Sequence, residues 1–437
     1  MNLFEKIIFY ATIFLVPFNI KKFIASPLSI EPLTEFGALF LYLSDILILI
    51  LLVLWLYKGI SQKKPKIKKL TALTASFLFF GLFLTLSLFS SKNLTISFYF
   101  LVKILLLIGF YYYIRLKIKK DELVSVCKII FISGIVQSLI ALGQYIKQGS
   151  LGLKHLGESV VAPNLYGVAK VDFLGQKIIR SYGTFSHPNI LAVFLLVSVC
   201  CLLYLVLKHK KSIYLIGLPI IVLGLILTFS RTTMFLGLIF VLSFLFYSWL
   251  KAKQLKLSRK TVIESASVFL LSIMVFLVIF APLIIQRFNI QKEEQAVSLR
   301  VFYNNAAFEI VKKSPLTGVG LGNFIIKLKE IHPNLASWQY QPVHNIYLLL
   351  FSEIGVFGLI FFFSILFIIF KNCLKSKVHR LELVIFGGLG IVFLVIGLTD
   401  HFFLTINQGM LLFWLTLGIV SSSMTIVLKN REVKSKN

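Results

Sequence analysis

Charged residues are scarce in this sequence, and acidic residues especially so. Asp, Glu, Lys and Arg together make up 14% of the 437 residues, and 17 acidic residues stand against 45 basic ones. Hydrophobic residues make up 58% of the chain, and the mean hydropathy is +0.91. A soluble globular domain usually carries about a quarter charged residues. The composition therefore excludes an ordinary soluble domain and indicates a polytopic membrane protein.

Cysteine is also scarce, and its positions argue against a disulfide framework. The four cysteines are Cys127, Cys200, Cys201 and Cys373, and each lies in an apolar run or a basic loop. None lies in a long polar segment, and no CxxC pair is present. We therefore expect neither a disulfide framework nor a CxxC metal site.

The basic residues give the chain a formal net charge of +28. In a soluble protein this excess would suggest nucleic acid as a partner. Here the basic residues occur in short clusters between long apolar runs, which is typical of the cytoplasmic loops of membrane proteins. We therefore predict contacts with membrane lipids and no nucleic-acid partner.

The apolar runs are long enough to cross a membrane as helices. We predict an all-α, polytopic fold with about 12 transmembrane helices, forming a single integral-membrane domain over residues 1–437. The predicted segments are 6–20, 36–57, 70–89, 94–114, 123–146, 188–207, 213–229, 234–250, 261–285, 344–370, 383–399 and 409–428.

The distribution of Lys and Arg predicts the orientation of these helices. With a cytoplasmic N-terminus, the inner loops are 58–69, 115–122, 208–212, 251–260, 371–382 and 429–437. Together with Lys6 they hold 27 Lys and Arg residues, whereas the short outer loops hold four, which are Lys21, Lys22, Lys92 and Arg231. The positive-inside rule therefore predicts that both termini are cytoplasmic.

Two predicted outer segments are too long to be simple connections. They span residues 147–187 and 286–343. Within the second, residues 300–313 have apolar residues at helical spacing, which predicts a short helix on the membrane surface. The chain shows no internal repeat, which argues against the matched halves typical of transporters.

The second long segment ends where an apolar run begins with His344 and Asn345. A histidine at the outer end of a spanning helix can act as a general base, or it can simply cap and pack the helix. Glu353 would lie on the opposite helical face and about 13 Å deeper, so it cannot orient His344 directly. A carboxylate at this depth is expected to pair with another group or to line a wet cavity. Gly355 and Gly358 are expected to permit close packing of the helix.

Two further motifs lie at the predicted outer ends of helices. The first is RSYGTFSHPN at 180–189, in which Arg180 is a candidate ligand and His187 is either a ligand or a structural residue. The second is TFSRT at 228–232, where Arg231 must lie at or just inside the membrane boundary. Arg231 either reaches out to lipid headgroups or points its planar guanidinium into a cavity, where it would suit a diphosphate.

The segment PLTGVGLGNF at 315–324 resembles half of a nucleotide-binding fingerprint. No strand–helix–strand unit surrounds it, and its predicted outer location is poor in nucleotides. We therefore interpret its glycines as a tight turn beside the surface helix. Asp400 and His401, in another predicted outer turn, form a reserve acid or base.

Taken in order, four pieces of sequence resemble the superfamily of O-antigen ligases and O-antigen polymerases, which are bacterial integral-membrane enzymes. The pieces are RSYGTFSHPN, TFSRT, SLRVFYNNAAFEIVKKSPLTGVGLGNF and HNIYLLLFSEIGVFGL, and they lie within residues 180–370. The resemblance implies transfer of a glycan from an undecaprenyl-diphosphate carrier at the extracytoplasmic face of the bacterial inner (plasma) membrane. The implied acceptor is a glycolipid in ligases and a growing glycan in polymerases.

The resemblance also implies roles for particular residues. The basic residues in the family's outer cavity correspond to Arg180 and Arg231, and its loop histidine corresponds to His344, the expected catalytic base. Arg300 matches a recurring position of the family. Asn345 and His187 are further substrate-binding candidates.

A glycosyl diphosphate already carries a good leaving group, so two or three arginines could neutralise it without a metal. The outer segments contain no DxD motif or carboxylate cluster, so we expect no metal and no cofactor. Trp338, Tyr340 and Tyr303 are candidates for stacking on sugars. The alternatives are a polymerase of the same superfamily and, from a different class, a lipid-linked-glycan transporter or flippase. A transporter should hold its binding residues near the membrane midplane, whereas the polar residues here gather at one predicted face.

Overall fold

The computed structural model describes residues 1–27, 35–61, 70–288, 294–375 and 380–434. These residues are mostly helical, and two short β-hairpins interrupt the helices. Residues 62–69 of the predicted inner loop 58–69, and parts of the loops 371–382 and 429–437, lie outside the described residues. The prediction of a helical protein is therefore confirmed, but an all-α description omits the two hairpins.

Seventeen α-helices are present in the described residues. In chain order they are α1 (Leu3–Leu15), α2 (Leu43–Ser61), α3 (Ala72–Leu86), α4 (Leu94–Lys117), α5 (Lys120–Lys147), α6 (Pro188–His209), α7 (Gly217–Leu227), α8 (Arg231–Leu250), α9 (Ala252–Leu255), α10 (Arg259–Ile279), α11 (Ala281–Phe288), α12 (Glu294–Lys313), α13 (Phe324–Ile331), α14 (Ile346–Lys375), α15 (Leu381–Ile396), α16 (Phe402–Thr405) and α17 (Asn407–Lys434).

Each of the twelve predicted segments overlaps at least one of these helices. Within the described part of the chain, seven helices are long and apolar enough to cross a membrane, namely α3 with the 3-10 turn that follows it, α4, α5, α6, α8, α10 and α14. The apolar helices α7 and α15 are shorter. Two predicted boundaries are wrong, because segment 36–57 begins with a strand and segment 261–285 divides into α10 and α11. The count of twelve spans stays a prediction.

Helix α6 forms the centre of the bundle. Pro188 is its first residue, where the fixed φ of proline suits a helix start, and His187 caps it. Its apolar side chains are buried on every side, and it packs against α5, α7, α8, α10 and α15. A helix that is apolar all round belongs in the interior of a bundle. The RSYGTFSHPN motif, which leads into α6, therefore lies at the centre of one end of the bundle.

The two β-hairpins lie in segments that the sequence predicted as a loop or as part of a helix. Strands β1 (Lys21–Ala25) and β2 (Leu39–Tyr42) pair antiparallel, with Lys21 opposite Tyr42. Strands β3 (Lys170–Phe173) and β4 (Gln176–Ile179) are joined by the two residues Leu174 and Gly175. Both connecting residues have positive φ, at 50° and 82°, as a tight hairpin turn requires.

Helix α14 is not continuous, although its sequence is an unbroken apolar run. Gly355 has φ 72° and ψ −178°, which breaks the helical ladder of hydrogen bonds. The segment 315–324 lies in this break, and we call the two together the glycine clasp. Its hydrogen bonds run from Val319 N–H to the Ser352 carbonyl (2.9 Å), from Gly320 N–H to the Glu353 carbonyl (3.0 Å) and from Val356 N–H to the Pro315 carbonyl (2.9 Å).

The glycine clasp requires glycine for two physical reasons. A Cβ on Gly355 would lie 2.0 Å from the Leu316 carbonyl oxygen, so no side chain fits there. Gly318, Gly320 and Gly322 all have positive φ, a conformation that other residues rarely adopt. The predicted tight turn is confirmed, and it fixes the C-terminal side of α12 against the middle of α14.

Glu353 lies at this break and is buried. One carboxylate oxygen accepts a hydrogen bond from the N–H of Phe324, the first residue of α13 (3.3 Å). The side chain also lines a cavity of about 20 Å³, which is enough for one water molecule. The expectation of a paired or cavity-lining carboxylate is therefore met by a backbone donor and a small cavity.

Replacing Glu353 with leucine should lower the free energy of unfolding by about 1–3 kcal/mol, because the buried Phe324 N–H loses its acceptor. Glu353→Gln keeps an oxygen at the same reach and serves as the matched control, with an expected loss below about 1 kcal/mol. Thermal unfolding of the purified protein in detergent measures both. Equal destabilisation by the two variants would show that the hydrogen bond to Phe324 is not what stabilises this site.

The predicted orientation has a direct test. Single cysteines at Ser150 and Ser337 should react in intact cells with a membrane-impermeant thiol reagent, whereas a cysteine at Ser61 should react only after lysis. Each cysteine is added to a variant whose four native cysteines are replaced by serine or alanine. Labelling of the Ser61 variant in intact cells would reverse the predicted orientation.

Candidate active site

Four arginines come together at the end of the bundle where α6, α8 and α14 begin. Arg180 precedes α6, Arg231 is the first residue of α8, Arg287 lies in α11 and Arg300 lies in α12. Their charges are close enough to interact, because the positive charges of Arg231 and Arg300 act on both Arg180 and Arg287. Four elements that are distant in sequence thus bring one cation each to a single site.

A strained turn at 228–230 holds two of these arginines. Phe229 is buried and has φ 46°, an uncommon conformation for a bulky residue. Its carbonyl accepts a hydrogen bond from Arg287 Nε (3.4 Å), and the preceding carbonyl of Thr228 accepts one from Arg180 Nε (2.7 Å). The Arg287 carbonyl in turn accepts a bond from Arg231 Nη1 (3.3 Å). The TFSRT motif therefore positions the arginines around it as well as supplying one.

A chain of hydrogen bonds continues from Arg180 to a histidine. Arg180 Nη2 donates to Asn189 Oδ1 (2.6 Å), and Asn189 Nδ2 donates to Asp400 Oδ2 (2.9 Å). The other carboxylate oxygen of Asp400 accepts the backbone N–H of His401 (2.8 Å), and His401 Nδ1 lies 2.6 Å from Thr405 Oγ1. These side chains are buried or nearly so, so the chain is a rigid wall of the site.

His344 packs between two rings at this wall. Its ring centroid lies 4.8 Å from that of His401, edge to face, and 5.7 Å from that of Tyr303, nearly parallel. Tyr303 is held in turn by its hydroxyl, which donates to the Gln339 carbonyl (2.6 Å). The buried Nδ1 of His344 makes no hydrogen bond of good geometry in the described residues, although the backbone of Pro342 lies close enough to raise its pKa.

Burial governs the protonation of the arginines. Burial, together with the positive charges of neighbouring arginines, lowers the pKa of Arg180 to about 10 and that of Arg287 to about 9. Both side chains still carry a positive charge near neutral pH. An anion placed among them would remove part of this repulsion, so the site favours an anionic ligand.

Burial also lowers the pKa of His344, of His187 and of His401. The negative charge of Asp400 opposes this effect in all three cases but does not reverse it. The imidazoles are therefore neutral near pH 7, and a neutral imidazole nitrogen can accept a proton.

The structure brings together most of the residues that the sequence singled out. Arg180, Arg231, Arg300 and His344 belong to the site just described. Asn345 caps α14, because its Oδ1 accepts hydrogen bonds from the N–H groups of Tyr347 (2.9 Å) and Leu348 (3.1 Å). His344 therefore lies just before α14, close to the predicted helix start.

His187 lies at the site as the cap of α6. Its Nδ1 accepts the N–H of Asn189 (3.2 Å), which is the structural alternative considered for it. Its role in substrate binding stays a prediction. Of the three aromatic candidates, Tyr303 packs on His344, Tyr340 is buried with its hydroxyl on the carbonyls of His332 and Pro333, and Trp338 is exposed.

Sequence reasoning missed Arg287 and Asn189 as members of the site. Arg287 stands at the edge of an apolar segment, and nothing in its local sequence separates it from a residue that contacts lipid headgroups. Asn189 was the last residue of a motif already noted, and its position after His-Pro was the available signal. Asp400 and His401 were kept only in reserve, yet they complete the hydrogen-bonded wall.

An apolar groove of about 170 Å³ runs between α6, α7, α8, α10 and α11. Its lining includes Met234, three residues after Arg231 on α8, and Ile284, three residues before Arg287 on α11. Residues three apart are neighbours on one helical face. The groove therefore begins about one helical turn from Arg231 and Arg287 and continues among the apolar helices.

Residues 216–363 match a family model described as O-antigen ligase. Over this segment, about a third of its length, the chain is similar to the O-antigen ligase family. The matched segment contains Arg231, Arg287, Arg300 and His344, whereas the RSYGTFSHPN motif and Asp400 lie outside it. A comparison with curated proteins finds no match.

The predicted resemblance is thus confirmed for the family. Together with the apolar helices, the match supports an integral-membrane protein with an O-antigen ligase-like segment at residues 216–363. Within the described residues, no group of three His, Cys, Asp or Glu side chains is placed to hold a metal ion.

Proposed function

We propose that this O-antigen ligase homologue transfers a glycan from a polyprenyl-diphosphate carrier, such as undecaprenyl diphosphate, to an acceptor hydroxyl. The observation that carries the proposal is the meeting of four arginines and a neutral His344 at the head of an apolar groove. The arginines suit the diphosphate of the donor, and the groove suits its lipid. His344 suits the acceptor hydroxyl, which must lose a proton.

Arg231, Arg287 and Arg300 are the groups that bind the diphosphate. Guanidinium groups match pairs of phosphate oxygens with two parallel N–H donors, and they stay charged when partly buried. Arg180 donates hydrogen bonds from Nε to the Thr228 carbonyl and from Nη2 to Asn189 Oδ1. It therefore contributes mainly its positive charge and holds the hydrogen-bonded wall in place. Two or three such cations stabilise the negative charge that grows on the leaving diphosphate.

The apolar groove is the proposed binding site for the polyprenyl chain of the carrier. Burying a methylene group of a polyprenyl chain contributes about 0.8 kcal/mol, so even a short stretch of carrier bound there adds substantially to affinity. Because Met234 and Ile284 join the groove to Arg231 and Arg287, a carrier in the groove would place its diphosphate at the arginines.

His344 is the proposed general base. If its Nδ1 proton points towards the Pro342 carbonyl, Nε2 keeps its lone pair and can take the proton of the acceptor hydroxyl. The acceptor oxygen then forms a bond to the anomeric carbon as the bond from that carbon to the phosphate oxygen breaks. The proton ends on His344, and the electron pair leaves with the carrier diphosphate. Asp400 raises the pKa of His344 and so favours the protonated form that follows.

We place the reaction on the extracytoplasmic face of the bacterial plasma membrane, which follows from the predicted orientation. The acceptor is a glycolipid if the protein is a ligase and a growing glycan if it is a polymerase. Surface glycan of a deletion strain separates these cases on a chain-length gel. Loss of the ligase leaves bare acceptor and carrier-linked polymer, whereas loss of the polymerase leaves single repeat units on the acceptor.

The test of the proposed function uses purified protein in detergent with a polyprenyl-diphosphate-linked glycan and an acceptor glycan. We expect a new glycosidic product and release of the free carrier diphosphate in equal amounts. In a parallel assay the protein is reconstituted into vesicles. Movement of the intact donor across the bilayer, with no diphosphate released, would instead establish the transporter.

A further inference from the structure

A second basic pocket borders the glycine clasp and contains none of the arginines. Its volume is about 220 Å³, and its lining includes Ser90, Lys92, Lys313, Ser314, Thr317 and Lys327. None of these residues belongs to the candidate active site. The lining is about half polar and carries three ammonium groups, so the pocket suits a small anionic group.

The pocket lies at the membrane boundary. Ser90 ends the 3-10 turn that closes the span 72–90, and Lys92 lies in the short connection before α4 begins at Leu94. Lys313 ends α12, and Lys327 lies in α13. If α3 and α4 cross the membrane as predicted, the ammonium groups lie at the depth where phospholipid headgroups carry their phosphates.

Two lysines of the pocket, Lys92 and Lys327, already bind an anionic group. The carboxylate of Glu330 accepts a hydrogen bond from Lys92 and another from Lys327 (2.9 Å). This carboxylate is largely exposed. The third lysine of the lining, Lys313, is likewise paired with a carboxylate, that of Glu309 (2.7 Å). A phosphate group could take the two donors that Glu330 uses and add a third from a hydroxyl of the lining.

The floor of the pocket is rigid. Val319 is tied to the Ser352 carbonyl in the clasp, and the buried Asn323 donates from Nδ2 to the hydroxyls of Ser91 (2.9 Å) and Ser97 (2.7 Å). A ligand would therefore meet a preformed surface, and little ordering of the protein would oppose binding.

We infer that this pocket binds a phosphate group, and that its natural source is the headgroup of an anionic phospholipid. The inference does not depend on the proposed transfer reaction. It gives the protein a lipid contact separate from the carrier groove, on the segment that joins α12 to α14.

The experiment measures binding of dioctanoyl phosphatidylglycerol to the full-length protein in detergent by native mass spectrometry. Phosphatidylcholine, which has no net charge, is the lipid control, and inorganic phosphate in a thermal-shift assay is the soluble arm. The double variant Lys92→Gln, Lys327→Gln should weaken phosphatidylglycerol binding on the order of tenfold, because two cations near the headgroup are lost.

The matched control removes two lysines elsewhere. Lys170 and Lys177 lie on the hairpin of β3 and β4, and replacing both with glutamine causes the same change in net charge. This control should bind phosphatidylglycerol as the wild type does. A third variant, Glu330→Gln, removes the competing carboxylate and should strengthen binding of phosphatidylglycerol. Non-specific attraction to a basic surface would change only slightly on loss of this one charge.

Equal weakening in the pocket variant and the hairpin control would overturn the inference, because only overall charge would then matter. Binding of phosphatidylglycerol that no variant changes would also overturn it. Protection by inorganic phosphate alone, lost in the pocket variant, would support the phosphate chemistry and assign it to a soluble source. These binding measurements are independent of glycan transfer, so their failure leaves the proposed function untouched.

Discussion

Replacing His344 with glutamine should lower the rate of glycan transfer by roughly 10²–10⁴-fold while the protein still folds. Glutamine keeps a hydrogen-bonding side chain of similar reach but has no useful basicity. The stacking on Tyr303 and the contact with His401 are lost, yet both are contacts at the edge of a large helical bundle. The assay is transfer from a purified polyprenyl-diphosphate glycan at equal amounts of folded protein, with donor binding measured separately.

The matched control for this variant is His332→Gln. His332 directly follows α13 and contacts the ring of Phe302, but it lies outside the hydrogen-bonded wall. Its replacement should leave the rate within a few-fold of the wild type. A His344→Gln protein that binds donor and turns over normally would remove His344 from the chemistry. His401 would then be the next base to test.

The pH dependence gives a second readout on the same residue. Burial lowers the pKa of His344 below its usual 6.5, so the base stays neutral and active to a lower pH than an exposed histidine would. We expect kcat/KM to fall only below about pH 6.5 as His344 becomes protonated. In His344→Gln, the low residual kcat/KM should no longer fall at acidic pH. Persistence of that fall would assign it to another group.

The sequence predicts the helices well because each is encoded locally. An apolar run of about 20 residues has few alternatives in a membrane, and Pro188 and Asn345 mark helix starts by their own chemistry. The ordered motifs also predicted that Arg180, Arg231, Arg300 and His344 would act together. That prediction depended on the resemblance to the family, since no local pattern joins residues so far apart.

The break in α14 could not be predicted in the same way. The run from 344 to 370 is apolar throughout, and Gly355 alone suggests helix packing just as well as a break. What decides its conformation is the backbone of 315–324, which supplies the hydrogen bonds that the helix gives up. Such a contact is visible only when both segments are in place.

The role of Arg287 in the site could not be predicted from the sequence, for the same reason. It follows an apolar stretch, and the sequence gives it no partner. Only the folding of α11 back towards the turn at 228–230 brings its Nε to the Phe229 carbonyl and its carbonyl to Arg231. The strained φ of Phe229 likewise has no sequence signal, because a phenylalanine rarely adopts it.

Replacing Arg287 with lysine should lower kcat/KM for transfer on the order of tenfold, even though the positive charge remains. Lysine is a point charge and cannot offer two parallel N–H donors to a phosphate, nor can it keep the Nε contact to Phe229 while doing so. Arg287→Gln removes the charge as well and should cost on the order of 10²–10³-fold, in the range seen when one preorganised donor to a developing charge is deleted.

The matched control is Arg259→Lys, at the start of α10, where the guanidinium lies over the ring of Trp249 (5.5 Å) and not at the candidate site. It should leave transfer unchanged. Thermal unfolding of each variant separates loss of the turn contact from loss of chemistry, since the hydrogen bond to Phe229 is worth about 1 kcal/mol. If Arg287→Lys transfers glycan at the wild-type rate, Arg287 only stabilises the turn at 228–230 and adds positive charge to the site. The diphosphate would then be held by Arg231 and Arg300, and the same lysine substitution at those two positions would have to produce the loss.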